Sequence, residues 1–337
     1  MNPTQVSPVA HVPVLVIGGG QAGLATAYYL LRAGVDVLVL DDQDGPGGAW
    51  RHVWPSLTLF STTDFSNLPG WLMPPFEGFP PASHVVDYLA RYEDRYTVPV
   101  ERPVRVDRVE HVDDGYLVHA GDRHWSTRTV VAATGTWSAP FVPTLPGHFA
   151  GRQWHSANYP GVEPFRGSRV AVVGGANSGA QIAAELTAVA DVTWYTRHPP
   201  RWMPDEVDGR VLFARNRQRF LAIMRGEDDP GADSSLGDIV VLPEVRRARD
   251  SGALRATPMV GSLDEVDADH LIWCTGYRPA LRPIRHLLED GRPRFPGLFL
   301  VGYGDWSGPG SATITGVGPH ARQAAREVAE ALGKQAR

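Results

Sequence analysis

The chain begins with a hydrophobic pattern that predicts one β-α-β unit. Residues 12–17 (VPVLVI) are an uninterrupted apolar run, in which Pro13 is tolerated only near the start of a strand. A glycine-rich turn follows, then a helix predicted from about Gln21 to Ala33, then a second apolar run at 35–40. Continuous apolar runs are typical of parallel strands that are buried on both faces. We therefore expect two parallel strands joined by this helix.

The same arrangement returns later in the chain. A strand at about 169–173, a helix from Ser178 to about Ala190 and a strand at 192–196 predict a second β-α-β unit behind a second glycine-rich turn. The other predicted elements are an antiparallel hairpin within 115–131 that turns at Gly121, strands at 270–276 and 298–305, and a last helix from about Gly318 to Leu332. Residues 203–262 show no clear pattern.

The first turn carries glycines at the spacing of a dinucleotide-binding motif. Gly18, Gly20 and Gly23 allow a tight turn, a close approach of a pyrophosphate and close packing of helix on strand, and the helix N-terminus faces the anion. Asp41 ends the next strand, where an acid can bind the ribose hydroxyls. Because the motif follows a predicted strand and opens a predicted helix, we expect it to bind a dinucleotide.

The second turn departs from this motif in its middle. Gly174 and Gly179 fit the pattern, but Ala176 replaces the middle glycine, and its methyl group should push a pyrophosphate slightly outward. Asn177 and Ser178 remain at the helix N-terminus to meet the anion. The turn is therefore expected to bind a second dinucleotide.

A basic residue ends the second unit, where an acid ends the first. Arg197 stands in the position that corresponds to Asp41, and His198 and Arg201 follow it. An arginine at this position suits a ribose 2′-phosphate, so this site is predicted to prefer NADPH over NADH.

Charge and composition exclude several classes of function. The net charge of −5 and the lack of a long basic run give a nucleic-acid role little support, and no apolar run reaches the length of a membrane span. The N-terminus lacks the features of a signal peptide, so a cytoplasmic location is expected. No residue cluster has metal-ligand spacing, and we expect no metal. A single cysteine, Cys274, excludes an internal disulfide and a Cys-x-x-Cys redox pair.

A third signature lies between the two turns. Phe149, Gly151, His155 and Tyr159 form the pattern F-x-G-x-x-x-H-x-x-x-Y. On this pattern the chain resembles the class B flavin-dependent monooxygenases. In segments such as LFSTTDFSNLPGWLMPP, DGRVLF and GYGDWSGPGSATITGVG it looks closest to the small bacterial flavoproteins of arsenic-resistance operons. The family signature is largely a domain-linker device, so we expect His155 to have a structural role.

Further segments carry the same resemblance along nearly the whole chain. The segment GPGGAW at 45–50 is similar to the family segment beside the flavin. The segments AATG at 132–135 and CTGYRP at 274–279 are similar to the two Thr-Gly strands of the family. The segment VGYGD at 301–305 is similar to its C-terminal flavin motif, which implies that Asp305 binds the ribityl chain. One departure is Phe60, which stands where larger members usually carry an asparagine near the flavin.

The resemblance implies FAD at the first turn and NADPH at the second, and a set of site residues. The predicted cofactor-binding residues are Gly18, Gly20, Gln21, Ala22, Gly23, Asp41, Asp42, Gly48, Trp50, Ser61, Thr62, Val106, Ala133, Thr134, Gly135, Gly174, Asn177, Ser178, Gly179, Arg197, Arg201, Thr275, Gly276, Gly304, Asp305 and Thr313. The candidate catalytic residues, which would line the substrate side of the flavin, are Trp50, Phe60 and Trp306.

The implied activity is an NADPH-dependent monooxygenation. In such a reaction a peroxyflavin would transfer oxygen from O₂ to a small molecule with a soft nucleophilic atom, which is sulfur, nitrogen or trivalent arsenic. A pyridine-nucleotide disulfide reductase shares the two-dinucleotide plan but needs a cysteine pair. Two alternatives stay open, an NADPH oxidase that releases hydrogen peroxide and a non-catalytic redox-sensing flavoprotein. A homodimer is possible.

These observations predict an α/β fold with two Rossmann-like dinucleotide-binding domains on a glutathione-reductase-like plan. The FAD domain would comprise residues 1–165 and 270–337, and the NADPH domain, residues 166–269, would be inserted into it.

Overall fold

The structure is a computed structural model that describes residues 10–231 and 235–334. Its helices are Gln21–Arg32 (α1), Ala82–Arg95 (α2), Asn177–Leu186 (α3), Gly209–Met224 (α4), Pro243–Asp250 (α5) and Val317–Ala331 (α6). Its strands are Ala10–His11 (β1), Val14–Ile17 (β2), Val37–Leu40 (β3), Val100–Glu101 (β4), Arg108–Val112 (β5), Gly115–Ala120 (β6), Arg123–Thr127 (β7), Thr129–Ala132 (β8), Arg152–His155 (β9), Arg169–Val173 (β10), Asp191–Thr196 (β11), Ala256–Pro258 (β12), His270–Trp273 (β13), Leu288–Glu289 (β14), Arg292–Pro293 (β15) and Leu298–Leu300 (β16).

The first glycine turn belongs to a parallel sheet of five strands. Its strand order is β16-β8-β2-β3-β4, with β2 at the centre. Every residue of β2 is buried, which is the reason for its uninterrupted apolar sequence. The helices α1, α2 and α6 pack on one face, and the sheet β1-β7-β6-β5 packs on the other. The predicted hairpin is confirmed, since β6 and β7 pair in antiparallel fashion across Gly121.

The second glycine turn belongs to a second parallel sheet. Its strand order is β12-β11-β10-β13-β9, and α3 and α5 cover one of its faces. The central strand β10 is buried from Val170 to Val173. Two parallel sheets, each with a central strand that runs into a glycine turn, confirm the predicted α/β fold with two Rossmann-like units.

The strand pairing differs from the domain assignment made on sequence. The sequence assigned 150–165 and 270–276 to the first domain, but β13 pairs with β10 in the second sheet and β9 pairs with β13 at the edge of that sheet. The boundaries between domains therefore stay a prediction, and the pairing favours placing both strands in the second unit. The sequence of a single strand does not indicate which sheet the strand joins, because strand pairing depends on segments that are distant along the chain.

Several elements are shorter than their hydrophobic pattern predicts. The helix α3 ends at Leu186 rather than near Ala190, because β11 pairs with β10 from Asp191 onward and the chain must turn before it. The strands predicted at 270–276 and 298–305 end at Trp273 and Leu300. Gly276 and Gly302 follow them with φ of +80° and +91°, which a strand does not allow. The unassigned segment 203–262 contains α4, α5 and β12.

Candidate active site

The first glycine turn lies where β2 ends and α1 begins. Gly18 has a φ of +110°, and a Cβ there would lie 2.4 Å from the carbonyl oxygen of Ala133. A Cβ on Gly23 would lie 1.9 Å from the carbonyl oxygen of Gly18, so the helix is packed against the turn. Gly20 is the N-cap residue of α1 and no side chain caps the helix. The first backbone N–H groups of α1 are thus suited to bind a pyrophosphate.

A cavity of about 560 Å³ opens at this turn. The predicted residues that line it are Gly18, Gly20, Gln21, Ala22, Asp41, Asp42, Gly48, Trp50, Val106, Ala133, Thr134 and Gly135. These residues come from the ends of adjacent parallel strands and from the loop that contains Gly48, which is where open α/β sheets bind nucleotides. An uncapped helix N-terminus beside a cavity of this size fits FAD.

A buried ion-pair network holds Asp41 at the edge of the cavity. The Arg102 Nε atom donates to Asp41 Oδ2 at 2.6 Å, and the two terminal nitrogens of Arg102 donate to the Glu93 carboxylate at 2.7 and 2.8 Å. Asp41 itself is buried. Arg102 therefore fixes the carboxylate that the sequence assigns to the ribose, and the motif gave no sign of this partner.

Trp50 lines the cavity and is hydrogen-bonded to the first residue of α1. Its Nε1 donates to Gln21 Oε1 at 2.8 Å, and Gln21 Nε2 donates to the carbonyl oxygen of Ala312 at 2.6 Å. Gln21 thus connects the start of α1 with the segment that leads into α6. The indole of Trp50 is held in one orientation at the cavity wall.

Sequence reasoning missed part of the cavity lining. The missed residues include Val104, Arg105, Trp137, Arg282, Arg285, Gly302 and Ala312. The segment that contains Arg282 returns from the second sheet, and Ala280 anchors it: its N–H donates to the Gly135 carbonyl at 2.9 Å, and its carbonyl accepts from Thr134 Oγ1 at 2.9 Å. No local spacing rule signals such a return. Arg282 and Arg285 add positive charge beside the place expected for the pyrophosphate.

The second glycine turn repeats the geometry of the first. Gly174 has a φ of +145°, and a Cβ there would lie 2.2 Å from the carbonyl oxygen of Cys274. A Cβ on Gly179 would lie 2.0 Å from the carbonyl oxygen of Gly174. Ala176 is the N-cap residue of α3, and no side chain caps this helix either. The turn therefore fits a second pyrophosphate despite its alanine.

The N-terminus of α3 differs from the expectation in one respect. Asn177 Oδ1 accepts from the backbone N–H of Val240 at 2.8 Å, so this side chain holds the segment before α5. Ser178 is hydrogen-bonded to Cys274, whose thiol has a pKa raised to about 12 by burial. Both residues thus have structural partners beside the turn, and their contact with a cofactor stays a prediction.

The basic end of the second unit is exposed. Arg197 and His198 follow directly after β11 and face solvent. Arg201 is ion-paired with Asp238, with 3.2 Å between Nε and Oδ2. The exposed Arg197 guanidinium is placed at the carboxyl end of β11, as the 2′-phosphate assignment requires.

The two Thr-Gly segments are held by buried hydrogen bonds. The hydroxyls of Thr134 and Tyr303 lie 2.7 Å apart, and burial raises the pKa of Tyr303 to about 12. Thr275 Oγ1 donates to the carbonyl oxygen of Phe141, and the Gly276 carbonyl accepts from the Phe141 N–H at 2.9 Å. Thr134 and Gly135 line the FAD cavity, whereas Thr275 and Gly276 do not.

The residues predicted at 60–62 lie outside the cavity lining. Phe60 packs against the hydrophobic core of the second unit, and its carbonyl accepts from the Gly209 N–H at 2.7 Å. Ser61 and Ser66 have hydroxyls 2.8 Å apart, and Thr62 precedes a 3₁₀ turn. These residues link the FAD side to α4, and their assignment to the cofactor and the substrate stays a prediction.

The C-terminal flavin motif is also only partly at the cavity. Gly302 and Ala312 line it, but Gly304, Asp305, Trp306 and Thr313 do not. Asp305 is exposed, and its Oδ1 lies 3.5 Å from Arg219 Nη1. Trp306 is exposed and stacks on Tyr303, with ring centroids 5.3 Å apart. The roles given to these four residues stay predictions.

The signature at 149–159 contains β9 and a short 3₁₀ turn, and its Phe149, His155 and Tyr159 side chains are buried. The His155 ring accepts from the Ala157 N–H at 3.0 Å and lies edge-on to Tyr277, at 5.2 Å between centroids. Burial lowers the pKa of His155, so the ring is neutral at physiological pH. A neutral ring that caps a short turn has a structural role.

The described residues contain neither a membrane-spanning helix nor a cluster of side chains suited to a metal ion. No helix within 10–231 and 235–334 combines the length and apolar content that a membrane crossing requires. Over those same residues, no group of three or more His, Cys, Asp or Glu side chains is arranged to hold a metal ion.

Comparison with known proteins identifies the family. Residues 15–298 match the family described as pyridine nucleotide-disulphide oxidoreductase. A flavin-containing monooxygenase from Stenotrophomonas maltophilia is 42% identical, with a TM-score of 0.84 over 96% of this chain and 99% of that chain. The chain belongs to the class B flavin-dependent monooxygenases within this family and is an FAD- and NADPH-dependent oxidoreductase.

More distant relatives also match most of the chain. A Geobacillus kaustophilus protein named uncharacterized oxidoreductase CzcO-like is 28% identical over 92% of this chain and 96% of its own length. A probable indole-3-pyruvate monooxygenase of Arabidopsis thaliana, YUCCA1, is 28% identical over 89% of this chain and 86% of its own length.

Proposed function

We propose that this flavin-dependent monooxygenase uses NADPH to oxygenate a soft nucleophile, namely a thioether, an amine or a trivalent arsenical. Flavin-dependent monooxygenation itself follows from the family to which the chain belongs. The atom that is oxygenated is the proposal.

The cysteine content is the observation that carries the proposal. Reductases of the same fold pass electrons to a disulfide, which requires two cysteines near the flavin. This chain has only Cys274, which is buried beneath the second glycine turn, and burial raises the pKa of its thiol. A single thiol is already reduced and has no second cysteine with which to form an electron-accepting disulfide, so the acceptor must come from solution. Molecular oxygen is that acceptor in the monooxygenases.

The residues of the chain bind and orient the two cofactors and enclose the cavity. Bound FAD supplies the redox chemistry and the activation of oxygen. The uncapped N-terminus of α1 binds its pyrophosphate, and Asp41, oriented by Arg102, binds its ribose. The Gly174 turn and Arg197 bind NADPH. Trp50, fixed by Gln21, excludes water from one wall of the cavity.

A soft nucleophile is favoured because the two hydrogen-bonded side chains at this wall, Trp50 and Gln21, offer no acid–base group for harder chemistry. Trp50 and Gln21 are uncharged, and His155 has a structural role. A lone pair on sulfur, nitrogen or trivalent arsenic needs no proton removed before it attacks. Trivalent arsenic would be bound without thiols, since the sole cysteine is buried.

The experiment follows NADPH consumption in air while peroxide and products are measured. A thioether, a tertiary amine, a trivalent arsenical and indole-3-pyruvate are added separately to the FAD-loaded protein. We expect one of the first three to yield an oxygenated product and to lower the fraction of electrons recovered as peroxide. The Gly179→Ala variant, which would lose NADPH binding, is the matched control.

Three outcomes would contradict the proposal. Full recovery of electrons as peroxide with every addition would make the chain an NADPH oxidase. Product from indole-3-pyruvate alone would assign it the keto-acid chemistry named for its plant relatives. Absence of NADPH consumption despite bound FAD would favour the redox sensor.

A further inference from the structure

A groove that is separate from the cofactor cavity runs between α4 and α6. Its volume is about 740 Å³, within the range of small-molecule sites. Leu68, Pro69 and Tyr29 contribute to its floor. No residue lines both the groove and the cofactor cavity. The groove therefore calls for its own explanation.

One wall is an apolar stripe on α4. Phe213, Phe220, Leu221 and Met224 line the groove, and their spacing of seven, eight and eleven residues from Phe213 places them on one face of the helix. At 1.5 Å per residue, this stripe extends about 17 Å. Leu221 and Met224 are exposed although they are large and apolar. An apolar face of this length on the surface marks a binding site.

The polarity of α4 supports this interpretation. Arg219 is the buried charged residue of the helix, and it is ion-paired to Asp229 at 3.0 Å and to Asp305 at 3.5 Å. The helix thus buries a charge toward the protein and presents apolar side chains outward into the groove. An ordinary surface helix has the reverse arrangement.

The groove is also lined by more basic than acidic side chains. Arg217 on α4 and Arg322 on α6 line it, and within the described residues neither forms an ion pair with an acidic side chain. Arg326, which also lines it, is paired with Glu330 at 3.1 Å. The acid in the lining, Glu327, accepts from Gln323 at 2.9 Å. Two cations beside an apolar wall favour an anion with an apolar tail.

We propose that the groove between α4 and α6 binds an amphipathic carboxylate, with its aliphatic chain along Phe213, Phe220 and Met224 and its carboxylate between Arg217 and Arg322. Phe220, which lines the groove, lies edge-on to His320 at 4.9 Å between centroids. His320 Nε2 is 2.9 Å from the Pro309 carbonyl oxygen, so the His320 ring is held in place.

The site would communicate with the cofactor domain through fixed contacts. The Gly209 N–H at the start of α4 donates to the Phe60 carbonyl at 2.7 Å, and Asn216 packs against Gly310. An occupant would thus touch a helix that is attached at both its start and its middle to segments near the flavin motifs.

Isothermal titration of dodecanoate into the FAD-loaded protein tests the proposal, with dodecan-1-ol as the uncharged probe. We expect one saturable site for dodecanoate and weaker binding of the alcohol. The double variant Arg217→Gln/Arg322→Gln should raise the dissociation constant for dodecanoate by about tenfold or more. Arg225→Gln, at the C-cap of α4 and outside the groove lining, should change it less than about twofold.

A second pair of variants tests the apolar wall. Met224→Asp should abolish binding, whereas Ile223→Asp should not, because Ile223 is exposed on the same turn but does not line the groove. Flavin absorbance and thermal melting report that each variant is folded. Absence of saturable dodecanoate binding, or equal binding by all variants, would overturn the proposal. A dimer that Met224→Asp dissociates would also overturn it, since a second copy would then cover the groove.

Discussion

Removal of Arg102 should destabilise the protein more than removal of any exposed arginine. The side chain is 11% exposed, and it neutralises Asp41, which is 5% exposed, and Glu93. Arg102→Met keeps the length of the aliphatic stem and deletes all three hydrogen bonds to the two carboxylates. Both carboxylates are then left in a buried site without their counter-charge.

The expected magnitude follows from this burial. Deletion of one partner from a buried ion pair costs about 3–5 kcal/mol of the free energy of unfolding, because the remaining charge stays desolvated. Asp41 would also lose its fixed orientation at the ribose. We therefore expect a dissociation constant for FAD that is about 10–100-fold higher, the equivalent of one charge-assisted hydrogen bond.

The assay is urea unfolding of the FAD-free protein, followed by circular dichroism, together with a fluorescence titration of FAD. Arg105→Met is the matched control. Arg105 also lines the cavity, but its contact with Asp42 is 3.4 Å long and Arg105 is 72% exposed. The control variant should lose less than about 1 kcal/mol of the free energy of unfolding. Equal losses in the two variants would refute the reasoning that burial makes the Arg102 network strong.

Three further predictions concern the second unit. Arg197→Ala should raise the dissociation constant for NADPH about 10–100-fold and leave that for NADH nearly unchanged, and an equal change for both would disprove the 2′-phosphate assignment. Gly179→Ala should retain FAD but lose NADPH-dependent flavin reduction, because the new methyl would lie 2.0 Å from the Gly174 carbonyl oxygen; normal reduction would contradict this. Burial raises the pKa of the Cys274 thiol from 9.0 to about 12, so the folded protein holds this proton more tightly than the unfolded chain. Its contribution to stability is complete below about pH 9 and is lost as the pH rises toward about 12, and urea midpoints of Cys274→Ala should fall less steeply over that range.

The two glycine turns could be predicted in detail because their chemistry is local. Gly18 and Gly174 have positive φ and a carbonyl oxygen within 2.4 Å of any added Cβ, and only glycine meets both conditions. The apolar runs beside them had to be buried parallel strands, since no polar position was left to face water. Strand, turn and helix are neighbours in sequence, so one short segment contains the whole motif.

Predictions that depended on folding back of distant segments were less complete. Asp305 and Trp306 lie outside the cavity lining, although Gly302 and Ala312 on either side of them line it. The reason is the path of the chain through a 3₁₀ turn at Gly304–Trp306, which directs these side chains outward. A motif gives the identity of a segment, but the direction of each side chain depends on the local backbone.

The amino-acid sequence by itself determined two dinucleotide turns, the family and the lack of a dithiol, because each of these depends on residue types and on spacing within one segment. Only the tertiary structure decided which sheet β9 and β13 join, that Arg102 holds Asp41, and that α4 presents its apolar side to a basic groove. Each of these depends on segments far apart along the chain. Strand pairing, burial and ion pairing depend on the neighbours that folding brings together. A local sequence pattern does not indicate which residues those neighbours are.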